Sequence, residues 1–219
     1  KDDFEGEAYI ADQAYDLEIP ADFPALAFDR DKNPVTVNGV ALGKKLFYEG
    51  RLSRNNSISC GFCHIQENAF THHGHPISHG IDNRLGIRNA PPIQNMAFLR
   101  NYTWDGVSHN LDERSLVPIT TDFEMDSSMP EVVGKLNTDA NYKKLFKAAF
   151  GDENITGERV LKAISQFMVT MVSADSKYDR VLKGKTVFTA EENEGYKLFR
   201  NNCASCHSGT LFTDESFRN

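Results

Sequence analysis

The chain has 219 residues, enough for one large domain or two small ones with a buried core. Its 40% hydrophobic and 25% charged residues are typical of a globular protein, and no apolar run approaches the roughly 20 residues that span a bilayer. A net charge of −7 argues against a nucleic-acid partner, which would favour a basic surface.

The elements predicted in chain order are mainly helical. Residues 1–34 lack helical periodicity, and we expect them to form an arm that lies on a domain. Helical patterns cover residues 37–49, 141–150 and 156–174, and the last of these carries an apolar Met/Phe stripe typical of core packing. A final helix is predicted after Thr189, which has capping-box spacing to a glutamate.

Residues 65–130 are expected to be irregular, because glycine and proline punctuate them repeatedly. Asp105-Gly106 and Met129-Pro130 are examples of these loop signals. A compact domain rarely contains so long an irregular region unless a function or a large ligand organises it.

All four cysteines fall in two C-x-x-C-H frames. These are Cys60-x-x-Cys63-His64 and Cys203-x-x-Cys206-His207. Two thiols at this spacing can form thioethers to the two vinyl groups of one haem, and the following histidine can bind the iron. Disulfides, a zinc site or a redox dithiol would each leave the adjacent histidines unexplained. The frames therefore predict two covalent c-type haems, which in turn predict an exported, periplasmic protein.

A repeated sequence pattern precedes the two frames. Gly43-x-x-Leu46-Phe47 comes before the first, and Gly195-x-x-Leu198-Phe199 before the second, which indicates two related haem-binding units. The predicted fold is mainly α, with two cytochrome c-like haem domains and long irregular loops. Its predicted parts are an N-terminal arm (1–34), a first haem domain (35–183) and the start of a second (184–219).

Each haem iron has a second axial position, and its occupant separates electron carriers from peroxidase-like centres. The candidate ligands near the first motif are His72, His73, His75 and His79.

The sequence resembles the bacterial di-haem cytochrome c peroxidases and the related MauG-type enzymes. The residues that carry the resemblance include Leu46-Phe47-Tyr48, Arg51-Leu52-Ser53, Ala69-Phe70-Thr71, Arg88-Asn89-Ala90-Pro91, Trp104-Asp105-Gly106 and Phe123-Glu124-Met125, together with both cysteine frames. The family continues well beyond its second motif, so the resemblance implies that the second domain is truncated here at its C-terminus.

The resemblance implies a role for individual residues. His64 would be the proximal ligand of the peroxidatic haem, and His79 a ligand that blocks the iron at rest. Asn89 would contribute to a calcium site, and Trp104, the only tryptophan, would lie between the haems. Glu124 would be the distal acid/base, since a carboxylate in an apolar pocket can move a proton between peroxide oxygens.

Arg114 stands where the family carries a glutamine. A guanidinium there could orient peroxide and stabilise charge, or it could lie at the surface, so its role is left open.

The predicted function is reduction of hydrogen peroxide to water with electrons from a small cytochrome c or a copper protein. Two alternatives stay open: a MauG-type oxidase that modifies a protein substrate, and a non-enzymatic di-haem electron carrier. The oligomeric state is also open, with a homodimer among the options.

Overall fold

The computed structural model describes residues 12–217, and this part of the chain is mainly α-helical. Its helices are α1 (Val37–Phe47), α2 (Cys60–Cys63), α3 (Leu111–Arg114), α4 (Leu116–Thr120), α5 (Met129–Asn137), α6 (Ala140–Phe150), α7 (Gly157–Met168), α8 (Lys177–Leu182) and α9 (Ala190–Asn202). Single turns of 3₁₀ helix lie at Gly50–Leu52, Gln66–Asn68, Ile81–Asn83 and Met96–Phe98. Between residues 12 and 217 the β pairing is limited to isolated bridges, so the mainly-α prediction is confirmed. None of the helices described is both long and apolar enough to cross a bilayer.

The crossing of α1 and α7 forms the centre of the hydrophobic core. A Cβ atom at Gly43 would lie 1.8 Å from the backbone oxygen of Ala163, so the absence of a side chain lets the two helices touch. One turn later on α1, Leu46 and Phe47 are buried, and Ile164 of α7 is buried with them. The Gly-x-x-Leu-Phe pattern thus serves helix packing immediately before the first cysteine frame.

A cluster of polar groups fixes the end of α1 against α6. The Tyr142 hydroxyl and the Arg51 guanidinium each donate to Glu49 Oε2, at 2.8 Å in both cases. Although burial alone raises it, these hydrogen bonds lower the pKa of Glu49 to about 2. The chain therefore leaves α1 in a fixed direction toward Cys60.

Residues 65–130 were expected to be irregular, but the short helices α3 and α4 lie within this range. The segment from 65 to 110 contains no element longer than one helical turn. Its far end is fixed by a buried polar network under α3. Asn33 Nδ2 donates to Asp112 Oδ1 at 2.7 Å and to the Lys162 carbonyl at 3.0 Å, while Gln166 Nε2 donates to Asn33 Oδ1 at 2.8 Å. Because buried polar groups need partners, this network sets the position of α3 on α7.

The N-terminal stretch runs over the core from residue 12 onward. Tyr15 N donates to the Val35 carbonyl at 2.9 Å, and Ala27 N donates to the Ala97 carbonyl at 2.9 Å. Residues 1–11 of the predicted arm lie outside the described residues.

The seventh helix ends earlier than predicted, at Met168 instead of residue 174. The following residues bond to a loop: Asn95 N donates to the Met171 carbonyl at 2.8 Å, and Ser173 N donates to Asn95 Oδ1 at 2.8 Å. These tertiary bonds replace the helical ones, and periodicity alone does not reveal them.

The Met129-Pro130 pair, read from the sequence as a loop signal, begins helix α5 instead. Ser128 caps this helix in a capping box with Glu131, and proline is tolerated in the first turn because its missing N–H would have no helical partner there.

The C-terminal segment packs through aromatic rings. Ring centroids lie 4.9 to 6.5 Å apart among neighbouring pairs of one cluster. The cluster consists of Tyr178, Phe188, Tyr196, Phe199 and Phe212. The predicted capping box at Thr189 is present, yet α9 has no buried residue within the part described. Leu198 is 64% exposed, whereas its counterpart Leu46 is 0% exposed.

The C-terminal segment also contacts the preceding part of the chain. Thr210 Oγ1 donates to the Asp22 carbonyl at 2.9 Å, and Arg100 N donates to Glu215 Oε2 at 2.9 Å. The ring of Phe217 covers Gly106, where a Cβ would lie 2.5 Å from it.

Candidate functional site

A cavity of about 760 Å³ opens beside α2 and α3. Its wall contains eight of the residues singled out in the sequence: Cys60, Cys63, His64, His79, Asn89, Trp104, Arg114 and Glu124. Ligand pockets commonly fall between about 300 and 1,000 Å³, so this cavity is large enough for a sizeable cofactor.

The first C-x-x-C-H frame forms the short helix α2 at the cavity wall. The ring of Tyr48 packs directly on its backbone, since a Cβ at Gly61 would lie 2.4 Å from that ring. Burial raises the pKa of Cys60 to about 12 and that of Cys63 to about 11. A redox dithiol needs a lowered thiol pKa, so these sulfurs suit uncharged thioethers better than thiol–disulfide exchange.

The disulfide and zinc-site interpretations of the cysteines also lack support. None of the four cysteines forms a disulfide. In the described residues, no group of three or more His, Cys, Asp or Glu side chains converges on a metal-binding position.

The His64 imidazole is oriented by the backbone. Its Nδ1 lies 2.8 Å from the carbonyl oxygen of Phe70, which can only accept, so Nδ1 donates and Nε2 keeps its lone pair. Burial lowers the pKa of His64, which favours the neutral ring that a metal requires. Nothing in the sequence identified Phe70 for this task, because its contribution is a main-chain oxygen.

His79 lies on a tight turn that also lines the cavity. Its Nδ1 lies 3.0 Å from Asn83 Oδ1, and its ring centroid lies 4.8 Å from that of His75. His72 is 6% exposed and packs against His75, with centroids 4.4 Å apart. Of the four candidate histidines, His79 alone is a wall residue of the cavity.

Glu124 is placed directly against the His79 turn. Ile81 N donates to the Glu124 carbonyl at 2.7 Å, and a Cβ at Gly80 would lie 2.6 Å from Glu124 Cα. Burial raises the pKa of Glu124, and the nearby charge of Arg114 acts in the opposite direction. This carboxyl can therefore hold or release a proton closer to neutral pH than an exposed glutamate can.

Arg114 lies in the cavity wall and not on the surface. Its Nε donates to the Tyr102 carbonyl at 3.0 Å, while Nη1 is buried and has no partner within the described residues. Burial lowers the pKa of the guanidinium, which stays far above neutral. An unpaired buried donor of this kind indicates an acceptor in the cavity.

Trp104 and Asn89 meet at the open side of the cavity. The indole Nε1–H donates to the Asn89 carbonyl at 2.9 Å, and Trp104 is 56% exposed. Asn89 Oδ1 accepts from Ala90 N at 2.8 Å. A calcium site at Asn89 stays a prediction.

The residues present fit a haem. Two neutral sulfurs and an imidazole with an available Nε2 line the same cavity. The buried donor Ser78 Oγ, which has no protein partner in the described part, suits a carboxylate of a haem. Ser78 was not anticipated, since an isolated serine beside a histidine carries no signal.

The second C-x-x-C-H frame does not line this cavity. Cys203 and His207 are exposed and Cys206 is partly buried. His207 repeats the arrangement of the first frame, because its Nδ1 lies 3.1 Å from the Phe212 carbonyl and Nε2 is again left available.

A family model described as "Di-haem cytochrome c peroxidase" matches residues 37–187. Among curated relatives, methylamine utilization protein MauG of Methylophilus methylotrophus is 33% identical over 95% of this chain and 64% of its own length. Cytochrome c peroxidase Ccp of Escherichia coli (strain K12) is 35% identical over 85% of this chain and 40% of its own length. Among solved structures, a MauG-like protein associated with microbial copper homeostasis superposes with a TM-score of 0.85 at 32% identity, covering 92% of this chain and 60% of its own. The chain thus spans less than two thirds of the length of each of these proteins.

Proposed function

The chain belongs to the di-haem cytochrome c peroxidase family, whose members bind c-type haem, and from this premise we propose that it reduces hydrogen peroxide to water. The observation that carries the proposal is that Glu124, Arg114 and His64 line one cavity. An acid/base, a fixed cation and an imidazole that can bind iron are groups that a protein can contribute to peroxide cleavage.

We assign the residues of the two frames to two haems. Cys60 and Cys63 would form the thioethers of the first and His64 would bind its iron, while Cys203, Cys206 and His207 would hold a second. When bound, the haem supplies a redox-active iron at which peroxide can be reduced. Under this assignment residues 35–183 form the first haem unit and residues 184–219 the start of another.

Glu124 is the proton carrier of the proposal. Its carboxylate would accept a proton from one peroxide oxygen and return it to the other, which would leave as water. Two electrons from the donor protein and two protons from solvent would convert the remaining oxygen to a second water. The raised pKa of Glu124 supports both halves of this exchange, since the group binds the proton and releases it again.

Arg114 would orient peroxide and stabilise the negative charge that develops as its O–O bond breaks. The Tyr102 carbonyl holds Nε, which leaves the rest of the guanidinium for this task.

We assign His79 to the control of access to the cavity and Trp104 to the supply of electrons. His79 would occupy the cavity at rest through Nε2 and leave it on activation, in keeping with its place in the wall. Trp104, at the open side, would lie on the path of electrons that come from a small cytochrome c or a copper protein. Periplasmic location and a calcium ion near Asn89 belong to the same proposal.

Replacement of Glu124 by glutamine tests the central assignment. In the full, haem-loaded protein, Glu124→Gln keeps the shape of the side chain but cannot carry the proton, so peroxide turnover should fall by about 100-fold or more. The measurement is peroxide-dependent oxidation of a reduced cytochrome c.

Glu158→Gln is the matched control, because this glutamate pairs with Lys162 on the outer face of α7. It should leave turnover unchanged. Turnover near the wild-type rate in Glu124→Gln would remove Glu124 from the mechanism.

A second candidate function is oxidation of a protein substrate, and it is favoured by the MauG relatives at 33% and 37% identity. A protein-directed oxidase would consume peroxide slowly with reduced cytochrome c but rapidly with its own substrate. A simple electron carrier would do neither, and the polar groups in the cavity wall argue against it.

A further inference from the structure

The turn that carries His79 is a compact hairpin. Gly80 N donates to the Arg84 carbonyl at 2.9 Å, and Gly86 N donates to the Ser78 carbonyl at 2.7 Å. His79 also forms an isolated antiparallel bridge with Leu85. The backbone on both sides of His79 is therefore fixed, and only its side chain is left to be oriented.

Asn83 supplies that orientation. Its Oδ1 lies 3.0 Å from His79 Nδ1, and an amide oxygen only accepts, so Nδ1 carries the proton. The other nitrogen, Nε2, then keeps its lone pair. The ring of His75, 4.8 Å away between centroids, supports the same imidazole from the side.

The conformation at the tip of the turn is unusual. Asp82 and Asn83 both have positive φ, at 52° and 58°, a region in which asparagine and aspartate are the most tolerated residues after glycine. Two consecutive left-handed residues store strain that the surroundings must offset.

Ion pairs that hold Asp82 offset this backbone strain. Arg54 bonds to Asp82 and to Asp126, the latter at 3.0 Å, and Arg84 lies 3.3 Å from Asp126 and 3.8 Å from Asp82. Each of these partly exposed pairs contributes little alone, but the four charges form one network. Because Asp126 follows Glu124 closely in the chain, the network ties the tip of the turn to the segment that carries the acid/base.

We propose that Asn83 is a positioning residue that holds His79 in the tautomer and orientation in which Nε2 can bind the first haem's iron at rest. This inference rests on the proposed function, in which His79 is the resting ligand. Asn83 acts through His79 and does not itself touch the haem or peroxide.

Azide binding to the oxidised, haem-loaded protein tests the role of Asn83, because azide competes with His79 for the same axial position. Asn83→Gly removes the amide and fits the positive φ, so the turn should keep its shape. Loss of one hydrogen bond should weaken His79 binding and raise azide affinity by about 3- to 10-fold. Absorption and electron paramagnetic resonance spectra should show a matching loss of low-spin ferric haem.

Two further variants separate the hydrogen bond from the backbone. Asn83→Asp keeps an acceptor at the same place and should stay within about twofold of the wild type. Asn56→Gly is the matched control, since Asn56 also has positive φ, 64°, but lies outside the His79 turn. It should leave azide affinity unchanged.

His79→Ala distinguishes the two levels of the proposal. Azide affinity that rises in His79→Ala but stays at the wild-type value in Asn83→Gly would overturn the role of Asn83 alone. Azide affinity that does not change in His79→Ala would instead overturn the assignment of His79 in the proposed function, and the role of Asn83 with it.

Discussion

Arg114 and Glu124 face the same cavity with opposite charges. Burial raises the pKa of Glu124, and the guanidinium of Arg114 counteracts this. Burial also lowers the pKa of Arg114, but a guanidinium stays protonated in proteins. The positive charge is thus permanent, and the carboxyl is the member of the pair that titrates.

Removing the guanidinium should move the pH dependence of turnover. In Arg114→Gln the Glu124 carboxylate loses its stabilising cation, so the pKa of Glu124 rises and the acidic limb of kcat/KM moves to higher pH. The maximal rate should also fall by about 10- to 100-fold, since one charged hydrogen-bond donor is lost. Arg114→Lys keeps the charge and should leave the acidic limb near its wild-type position.

The outcome that would contradict this view is an Arg114→Gln variant with an unmoved acidic limb. In that case the carboxyl would titrate independently of the cation, and the two side chains would not work as a pair.

Single residues were predictable from the sequence where the chemistry resides in the side chain. Cys60 and Cys63 were singled out by their spacing and Glu124 by its place in a family pattern, and all three line one cavity. The acceptor for His64 is a backbone oxygen, and the partner of His79 depends on a left-handed turn. A backbone oxygen leaves no mark on side-chain types, and an asparagine four residues after a histidine does not by itself indicate that the two are bonded. Neither contact could therefore be predicted.

At the scale of elements, the contact between α1 and α7 depends on the lack of a Cβ atom at Gly43. A Cβ at Gly43 would lie 1.8 Å from the Ala163 backbone oxygen, and a backbone atom cannot move aside as a flexible side chain can. The same helix leads to the cysteines, so its packing determines where α2 starts.

Gly43→Ala should force the two helices apart and destabilise the fold by about 1–3 kcal/mol. Denaturant unfolding followed by circular dichroism measures the change. Gly134→Ala is the control, because a Cβ at this site in α5 would meet nothing within 4 Å. It should stabilise the protein by about 0.5–1 kcal/mol, since alanine favours helix over glycine. Equal effects of the two changes would contradict the packing role of Gly43.

The start of α9 was predictable from the sequence, whereas the end of α7 was not. The cap at Thr189 is a local hydrogen bond between neighbouring residues and is therefore visible in the sequence. The end of α7 is set by Asn95, a residue distant in the chain that pairs with residues 171 and 173. Long-range bonds of this kind override periodicity.

At the scale of the whole molecule, two similar motifs lie in different surroundings. The first lines a cavity built by the core, while the second lies on a segment whose helix α9 has no buried residue in the part described. Both nevertheless orient their histidine through Nδ1 and a backbone carbonyl. The local arrangement is repeated even though the packing around it is not.

The haem content of the holoprotein is therefore a direct prediction. We expect two covalently bound haems per chain, measured as the pyridine haemochrome after acid–acetone extraction of unbound pigment. Cys203→Ser with Cys206→Ser should leave one, because thioethers at Cys60 and Cys63 form independently of the second frame. A wild-type protein that retains a single haem after extraction would contradict the assignment of the second motif.

The class of the fold followed from helical periodicity, and the repeated Gly-x-x-Leu-Phe pattern indicated two units. What the pattern could not show is that Leu46 is fully buried while Leu198 is exposed. The same local sequence has different environments because burial depends on which other elements pack against it.

The contacts of Thr210, Glu215 and Phe217 with the preceding part of the chain have a consequence for charge movement. They hold the His207 motif beside residues 22, 100 and 106 instead of leaving it on a tether. If electrons pass from that motif to the cavity that His64 lines, they would tunnel across a gap whose width these contacts maintain. The His207 motif would not need to diffuse toward the cavity before each transfer. The rate of electron transfer would then be set by the distance and by the atoms in between.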